Sequence, residues 1–171
     1  TTQAVGIAED WIRTGRAKRV LVISADDVTN PSSFGWLGTG FLASGAATTK
    51  DVVSEAALPF DRRRNGMIIG MGAAALVIED GRKAAERGVQ PLAELLATQF
   101  DNSAYHLSRL STRHVSQTMG KLMAKAEKRH GLKRSELAGK MLFMSHETYT
   151  PAQGGSSAAE VEALKATFGP D

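Results

Sequence analysis

The stretch Gly139-Lys140-Met141-Leu142-Phe143-Met144-Ser145-His146-Glu147-Thr148-Tyr149-Thr150 reads as a short buried strand that delivers one histidine and two threonines onto a loop. Residues 156–168 then predict a helix. Strand, polar loop and helix in succession make the kind of edge on which α/β proteins place their chemistry, because the loop is held between rigid elements. Taken alone, His146 at a strand end is open to two readings, a structural histidine or part of a binding site. Its neighbours Ser145, Thr148, Tyr149, Thr150 and Gln153 supply several hydrogen-bonding side chains, and Pro151 with Gly154-Gly155 shapes the loop. A loop so furnished is equipped to hold a polar ligand.

Upstream, Pro59-Phe60-Asp61-Arg62-Arg63-Arg64-Asn65-Gly66-Met67-Ile68-Ile69-Gly70-Met71-Gly72-Ala73 runs straight into the apolar segment Ala74 to Glu79. Its glycines superficially suggest a dinucleotide loop, but they lead into a strand and not a helix N-terminus, so the phosphate-cradling geometry is missing. Gly38-Thr39-Gly40 fails in the same way. Around these segments, residues 3–14 predict a helix closed by Gly15, and Arg19 to Ser24 a buried β-branched strand. Asn30 to Thr49 reads as a packed loop with a short helix, residues 66–79 as one or two strands, and residues 80–88 as a short helix with a glycine stop. Leu92 to Phe100 predicts a strand and Val115 to Arg129 an amphipathic helix. The alternation of helix and strand argues for a layered α/β sheet.

Composition narrows the function classes. The hydrophobic share is 42% and the charged share 23%, both near globular averages, and no apolar run approaches the ~20 residues of a membrane span. Without cysteine there is no disulfide, thiolate metal site or cysteine nucleophile within these 171 residues. The histidines His106, His114, His130 and His146 lack the spacing of a zinc helix, so no metal is expected. The net charge of +3 is slight, and the basic stretch Lys121 to Arg134 has no interleaved aromatics to stack on bases, which argues against nucleic acid. Met71, Met119, Met123, Met141 and Met144 follow helix and strand periods and read as core filling, with Met67 set apart from them. No targeting signal is visible, and the expected location is cytoplasmic.

The histidine stretch and the Pro59 to Ala73 stretch, in this order, resemble the β-ketoacyl synthases of the thiolase fold. In that family the histidine motif is His-Gly-Thr-Gly-Thr; His146, Thr148 and Thr150 match, with Glu147 and Tyr149 in place of the glycines. The earlier motif is Pro-Phe-Asp-x-x-Arg-Asp-Gly-Phe-Val-x-Gly-Glu-Gly-Ala. Here Pro59, Phe60, Asp61, Arg64, Gly66, Gly70, Gly72 and Ala73 match, while Asn65, Met67, Ile68 and Met71 differ. The helix and strand ending at Ser24 look like those that follow the family's nucleophilic cysteine. By this resemblance the chain is the central portion of a longer enzyme, with that cysteine expected shortly before Thr1 and a second histidine expected beyond Asp171.

The resemblance implies an α/β, thiolase-like layered fold, α-β-α-β-α in the intact enzyme. Residues 1–88 would end its N-terminal half and residues 89–171 would begin its C-terminal half. It implies decarboxylative Claisen condensation of an acyl thioester with a malonyl-type thioester, in polyketide or fatty-acid biosynthesis. A malonyl thioester that loses carbon dioxide leaves an enolate, whose oxygen needs preset donors. His146 would be one such donor, a role that requires neutral imidazole and is favoured by burial. Thr148 and Thr150 would bond the amides of a phosphopantetheine arm, and Met67 would stand where the family's phenylalanine packs against the malonyl carboxylate. That arm, carried by an acyl carrier protein, is substrate carrier; no cofactor would be bound directly. A homodimer through Val20 to Ser24 is implied as well, the run being apolar on both faces. The chain by itself is expected to be inactive. Two other readings share the motifs: a non-catalytic ketosynthase-like subunit of the chain-length-factor type, and a thiolase-type coenzyme A condensing enzyme.

Overall fold

The computed structural model describes residues 2–104, 109–151 and 155–170; His106, Gln153 and Gly154, singled out above, lie outside them. Helix α1 (Thr2–Arg13) forms where periodicity predicts and buries Gly6, Ala8 and Glu9 on one face. It stops at Gly15, whose φ of 74° turns the chain back. The amide of Thr14 donates to Asp10 O at 2.9 Å and that of Gly15 to Ile12 O at 3.1 Å, so the last carbonyls are not left open. Arg16 then lays its guanidinium over the Trp11 ring, 4.6 Å from the centroid.

Strand β1 (Arg19–Asp27) pairs antiparallel with β2 (Met71–Glu79) in unbroken register, Arg19 opposite Glu79 and Asp27 opposite Met71. Arg19 Nη2 and Arg87 Nη2 close the ladder's end on Glu79, at 2.8 and 3.0 Å. Cross-strand partners share a face, so Val20, Val22, Leu76 and Ile78 lie on one side and Leu21, Ile23, Ala75 and Val77 on the other. Val22 is buried, whereas Leu21 and Ile23 are exposed. The expectation of a strand buried on both faces is therefore corrected: α1 packs against this pair, and one of its faces stays open.

Between the two strands the chain makes α2 (Pro31–Ser33), a π turn (Phe34–Gly38), α3 (Thr39–Ala43) and α4 (Val53–Ala56), more helix than the single short one expected. Asn30 caps α2 by accepting from Ser32 N at 2.9 Å. After β2, Asp80 caps α5 (Gly81–Glu86) through the amides of Arg82 and Lys83. Helix α6 (Thr112–His130) starts at Ser111, whose hydroxyl accepts from His114 N, and ends at the left-handed Gly131 after Lys128, Arg129 and His130. Those cations complement the helix dipole. Arg134 of α7 (Arg134–Leu137) then grips Glu127 of α6. Helix α8 (Ser157–Phe168) packs on α6 through small buried side chains, Ala159 and Ala163 on α8 and Ala126 on α6, which let the backbones approach closely.

Two predicted strands differ. Residues 92–100 and 140–145 make no ladder among the described residues. The first segment is instead held by side chains: Lys125 Nζ donates to Thr98 O at 2.7 Å, and His130 Nε2 lies 2.9 Å from Leu96 O. Thr98 Oγ1 donates to Glu9, which also pairs with Arg13 and Arg129, so α1, α6 and this segment meet at one carboxylate. Burial pushes Glu9 toward neutrality, but the bonds from Thr98, Arg13 and Arg129 outweigh it and hold its pKa below the ordinary value. In the second segment exposure runs 40, 87, 37 and 84% from Met141 to Met144. That period of two is an extended chain without a partner strand. It also corrects the reading of the methionines: Met123 is in the core, while Met71, Met141 and Met144 are exposed.

Candidate active site

Met67 sits on a short parallel bridge to Ala47. Its amide donates to Ala46 O at 2.8 Å and its carbonyl accepts from Thr48 N at 2.9 Å. Gly66 precedes it with φ 140°, and a Cβ there would come within 2.4 Å of Ala47 C and Thr48 N. Only glycine fits so close a backbone approach. Asn65, in the position of the family's aspartate, bonds Thr48 Oγ1 through Oδ1 and donates from Nδ2 to Glu55 O at 2.9 Å. The loop before it is folded on itself: Asp61 takes the backbone and guanidinium of Arg63, and Arg64 Nη1 donates to Asp61 O at 3.2 Å. The hydrogen bonds of Arg63 hold the Asp61 carboxyl well below the usual carboxylate range.

The histidine loop meets this segment directly. The amide of Gly66 donates to Tyr149 O at 3.0 Å, and Arg64 Nε lies 3.5 Å from Glu147 Oε1. The structure thereby brings the Met67 segment against the loop that carries His146, Thr148 and Thr150. Tyr149 adopts φ 63°, a left-handed conformation that an L side chain enters at a cost of about 1 kcal/mol, and it occupies a position where the family motif has glycine. Thr150 is buried and Thr148 half-buried. His146 is exposed, and its amide donates to Glu160 Oε2 at 3.3 Å.

Two carboxylates beside His146 are not among the site residues expected from the sequence. Glu160, buried on α8, accepts from Ser145 Oγ as well as from the His146 amide. Glu147, whose side chain is 2% exposed, accepts from Tyr149 N and from the hydroxyls of Ser156 and Ser157 at the start of α8. Carboxylate at a helix N-terminus is favoured by the dipole. The spacing of Ser157 and Glu160 is that of a capping box, a signal that marks the helix start but not the use of Glu160 on the preceding loop.

No protein-family model matches the chain. It is 28% identical over 165 residues to 3-oxoacyl-[acyl-carrier-protein] synthase 2 of Vibrio cholerae, covering 96% of this chain and 37% of that protein. To the synthase of the same name from Staphylococcus aureus it is 32% identical over 130 residues, 76% of this chain and 30% of that one. The crystal structure of a β-ketoacyl synthase from Burkholderia phymatum superposes on 98% of the chain with a TM-score of 0.78 at 26% identity, and the chain covers 38% of it. In sequence and in fold the chain is similar to the β-ketoacyl synthases, of whose length it spans a part. Its fold is accordingly the thiolase-like α/β fold of those synthase structures, of which the chain spans a part. It spans between a third and two-fifths of the length of the Vibrio relative, at 37%. A type II polyketide synthase acyl-carrier protein in complex with its ketosynthase bound to the hexaketide is similar too, with a TM-score of 0.76, 26% identity and coverage of 99% of this chain and 39% of that one.

Proposed function

We propose that the protein takes part in decarboxylative Claisen condensation of an acyl thioester with a malonyl-type thioester, in fatty-acid or polyketide synthesis. The observation that carries this reading is the meeting of the Met67 segment with the His146 loop through the Gly66 to Tyr149 hydrogen bond. In the reaction, the bond between the malonyl α-carbon and its carboxylate breaks and carbon dioxide leaves. The electron pair stays as an enolate. His146 donates a hydrogen bond to the enolate oxygen, and donors preset for developing charge lower the barrier. The α-carbon then attacks the acyl thioester carbonyl, and its thiolate departs. That thioester is carried by a group outside these residues, since the chain has no cysteine. Thr148 and Thr150 bond the amides of a phosphopantetheine arm, and Met67 packs its flexible thioether beside the malonyl group.

The similar ketosynthase in complex with an acyl-carrier protein supports a carrier protein as partner. Homodimerisation through β1, a boundary between residues 88 and 89 that divides two thiolase-like halves, and a cytoplasmic location belong to the same reading. No helix of the described residues is long and apolar enough to cross a membrane. A second reading is a non-catalytic subunit of the chain-length-factor type, since the ishigamide ketosynthase/chain length factor is similar to the chain with a TM-score of 0.75. Carbon dioxide release from malonyl carrier protein by the whole protein separates the two. Release with transfer to an acyl thioester is expected; a protein that binds malonyl carrier protein and releases none has the non-catalytic role.

A further inference from the structure

We infer that Glu147 is a positioning residue, which with Arg64 sets where His146 stands relative to the Met67 segment. The inference rests on the reading of His146 above for its catalytic consequence, although not for its structural one. The carboxylate of Glu147 serves three parts of the chain at once. Oε1 accepts from Tyr149 N at 3.1 Å and faces Arg64 Nε at 3.5 Å, while Oε2 takes the hydroxyls of Ser156 and Ser157. Arg64 Nε is buried and makes no hydrogen bond among the described residues, so its pairing with Glu147 is electrostatic. Desolvation makes a buried guanidinium dependent on such an anion.

His146 is fixed from both sides of this arrangement. Ser145 Oγ donates to Glu160 Oε2 at 2.5 Å and accepts from the Glu147 backbone amide at 2.7 Å, and the His146 amide donates to the same Oε2 at 3.3 Å, so two buried carboxylates hold the loop here, Glu160 at residues 145 and 146 and Glu147 at the amide of Tyr149. One of them belongs to α8. The other reaches across to Arg64, in the loop that leads through Gly66 to Met67. A neutral residue at position 147 would leave Arg64 without this anion and the loop with only the Gly66 to Tyr149 backbone hydrogen bond to that segment. Glu147 thus supplies, by charge, a register between the two halves of the site.

The test uses the whole protein, with Glu147→Ala, Glu147→Gln and Arg64→Met. One readout is the imidazole resonance of His146 in histidine-labelled protein, assigned by its loss in His146→Gln; the other is kcat and KM for decarboxylation of malonyl carrier protein. Glu147→Ala is expected to move or split the His146 resonance and to lower kcat by ~10–100-fold, the effect of a small misplacement of a reacting group. KM should stay within about twofold, because uniform binding is untouched. Glu147→Gln, which keeps acceptor and reach but not charge, should recover part of the loss, and Arg64→Met, on the other segment, should move the same resonance. An unchanged His146 resonance with unchanged kcat in folded Glu147→Ala overturns the inference. If that variant does not fold, Arg64→Met decides by the same criteria. Should wild-type protein release no carbon dioxide while the resonance still moves, the positioning role stands and the condensation reading fails.

Discussion

Gly66 is the residue on which the site's geometry turns, because its amide is the direct backbone link from the Met67 segment to the histidine loop. The pressure of Ala47 and Thr48 against its α-carbon explains why the motif needs glycine there. Gly66→Ala is expected to destabilise the protein by about 2–4 kcal/mol, since backbone must shift and φ would be strained. A urea titration reads this directly, and a midpoint indistinguishable from wild type would contradict it. Tyr149 is the opposite case, a bulky residue held in the conformation that glycine prefers. The bond from Gly66 to its carbonyl and the acceptance of its amide by Glu147 are what hold it there. His146, Thr148, Thr150 and Met67 were legible as candidates from two motifs. Glu147 was legible only as a departure from them, because its partners lie in Arg64, Ser156 and Ser157, and no local pattern connects those positions.

Among the elements, those whose signals are local were legible. Apolar periodicity with Gly15 marked α1, the run of β-branched residues marked β1, and amphipathic spacing from Val115 to Arg129 marked α6. The segments 92–100 and 140–145 read as strands because a short run bounded by turn and loop residues suits an extended chain. A strand also needs a partner, and a period of two carries no information about one. The corner between α6 and α7 offers a prediction with a definite sign. Side-chain and backbone hydrogen bonds from Arg134 lower the pKa of Glu127 from 4.5 to about 2. The folded state therefore holds this carboxylate ionised where the unfolded state would protonate it, so its contribution is complete above the ordinary pKa and is lost as pH falls toward 2. Glu127→Gln should lower stability at neutral pH and flatten the stability profile across that acid window, because the variant has no carboxylate to protonate. An identical acid dependence in the variant, measured by denaturant titration at several pH values, would count against the pairing.

At the scale of the whole molecule, the β1–β2 pair leaves Leu21 at 58% and Ile23 at 65% exposure, on the same face as Val77. Residues 1–171 expressed by themselves are therefore expected to bind a hydrophobic dye and to unfold without a sharp transition. A cooperative monomer that binds no dye would be the contrary result. The same strand carries the proposed dimer. Because Val22 faces the chain's own interior, a charge placed there would test the fold and not the association. Ile23→Asp is the sharper probe: in the whole protein it is expected to shift the sedimentation profile from dimer to monomer, and an unaltered dimer would remove β1 from the interface.

The proposed hydrogen bond from His146 to the enolate is tested by single-turnover decarboxylation of malonyl carrier protein with whole-protein His146→Ala. Release of carbon dioxide should fall by a factor on the order of 10²–10³, the effect of removing one oxyanion donor. Formation of the acyl thioester, followed in the same preparation, should suffer much less, since that step does not pass through the enolate. Decarboxylation at the wild-type rate would make His146 a structural residue and contradict the claim.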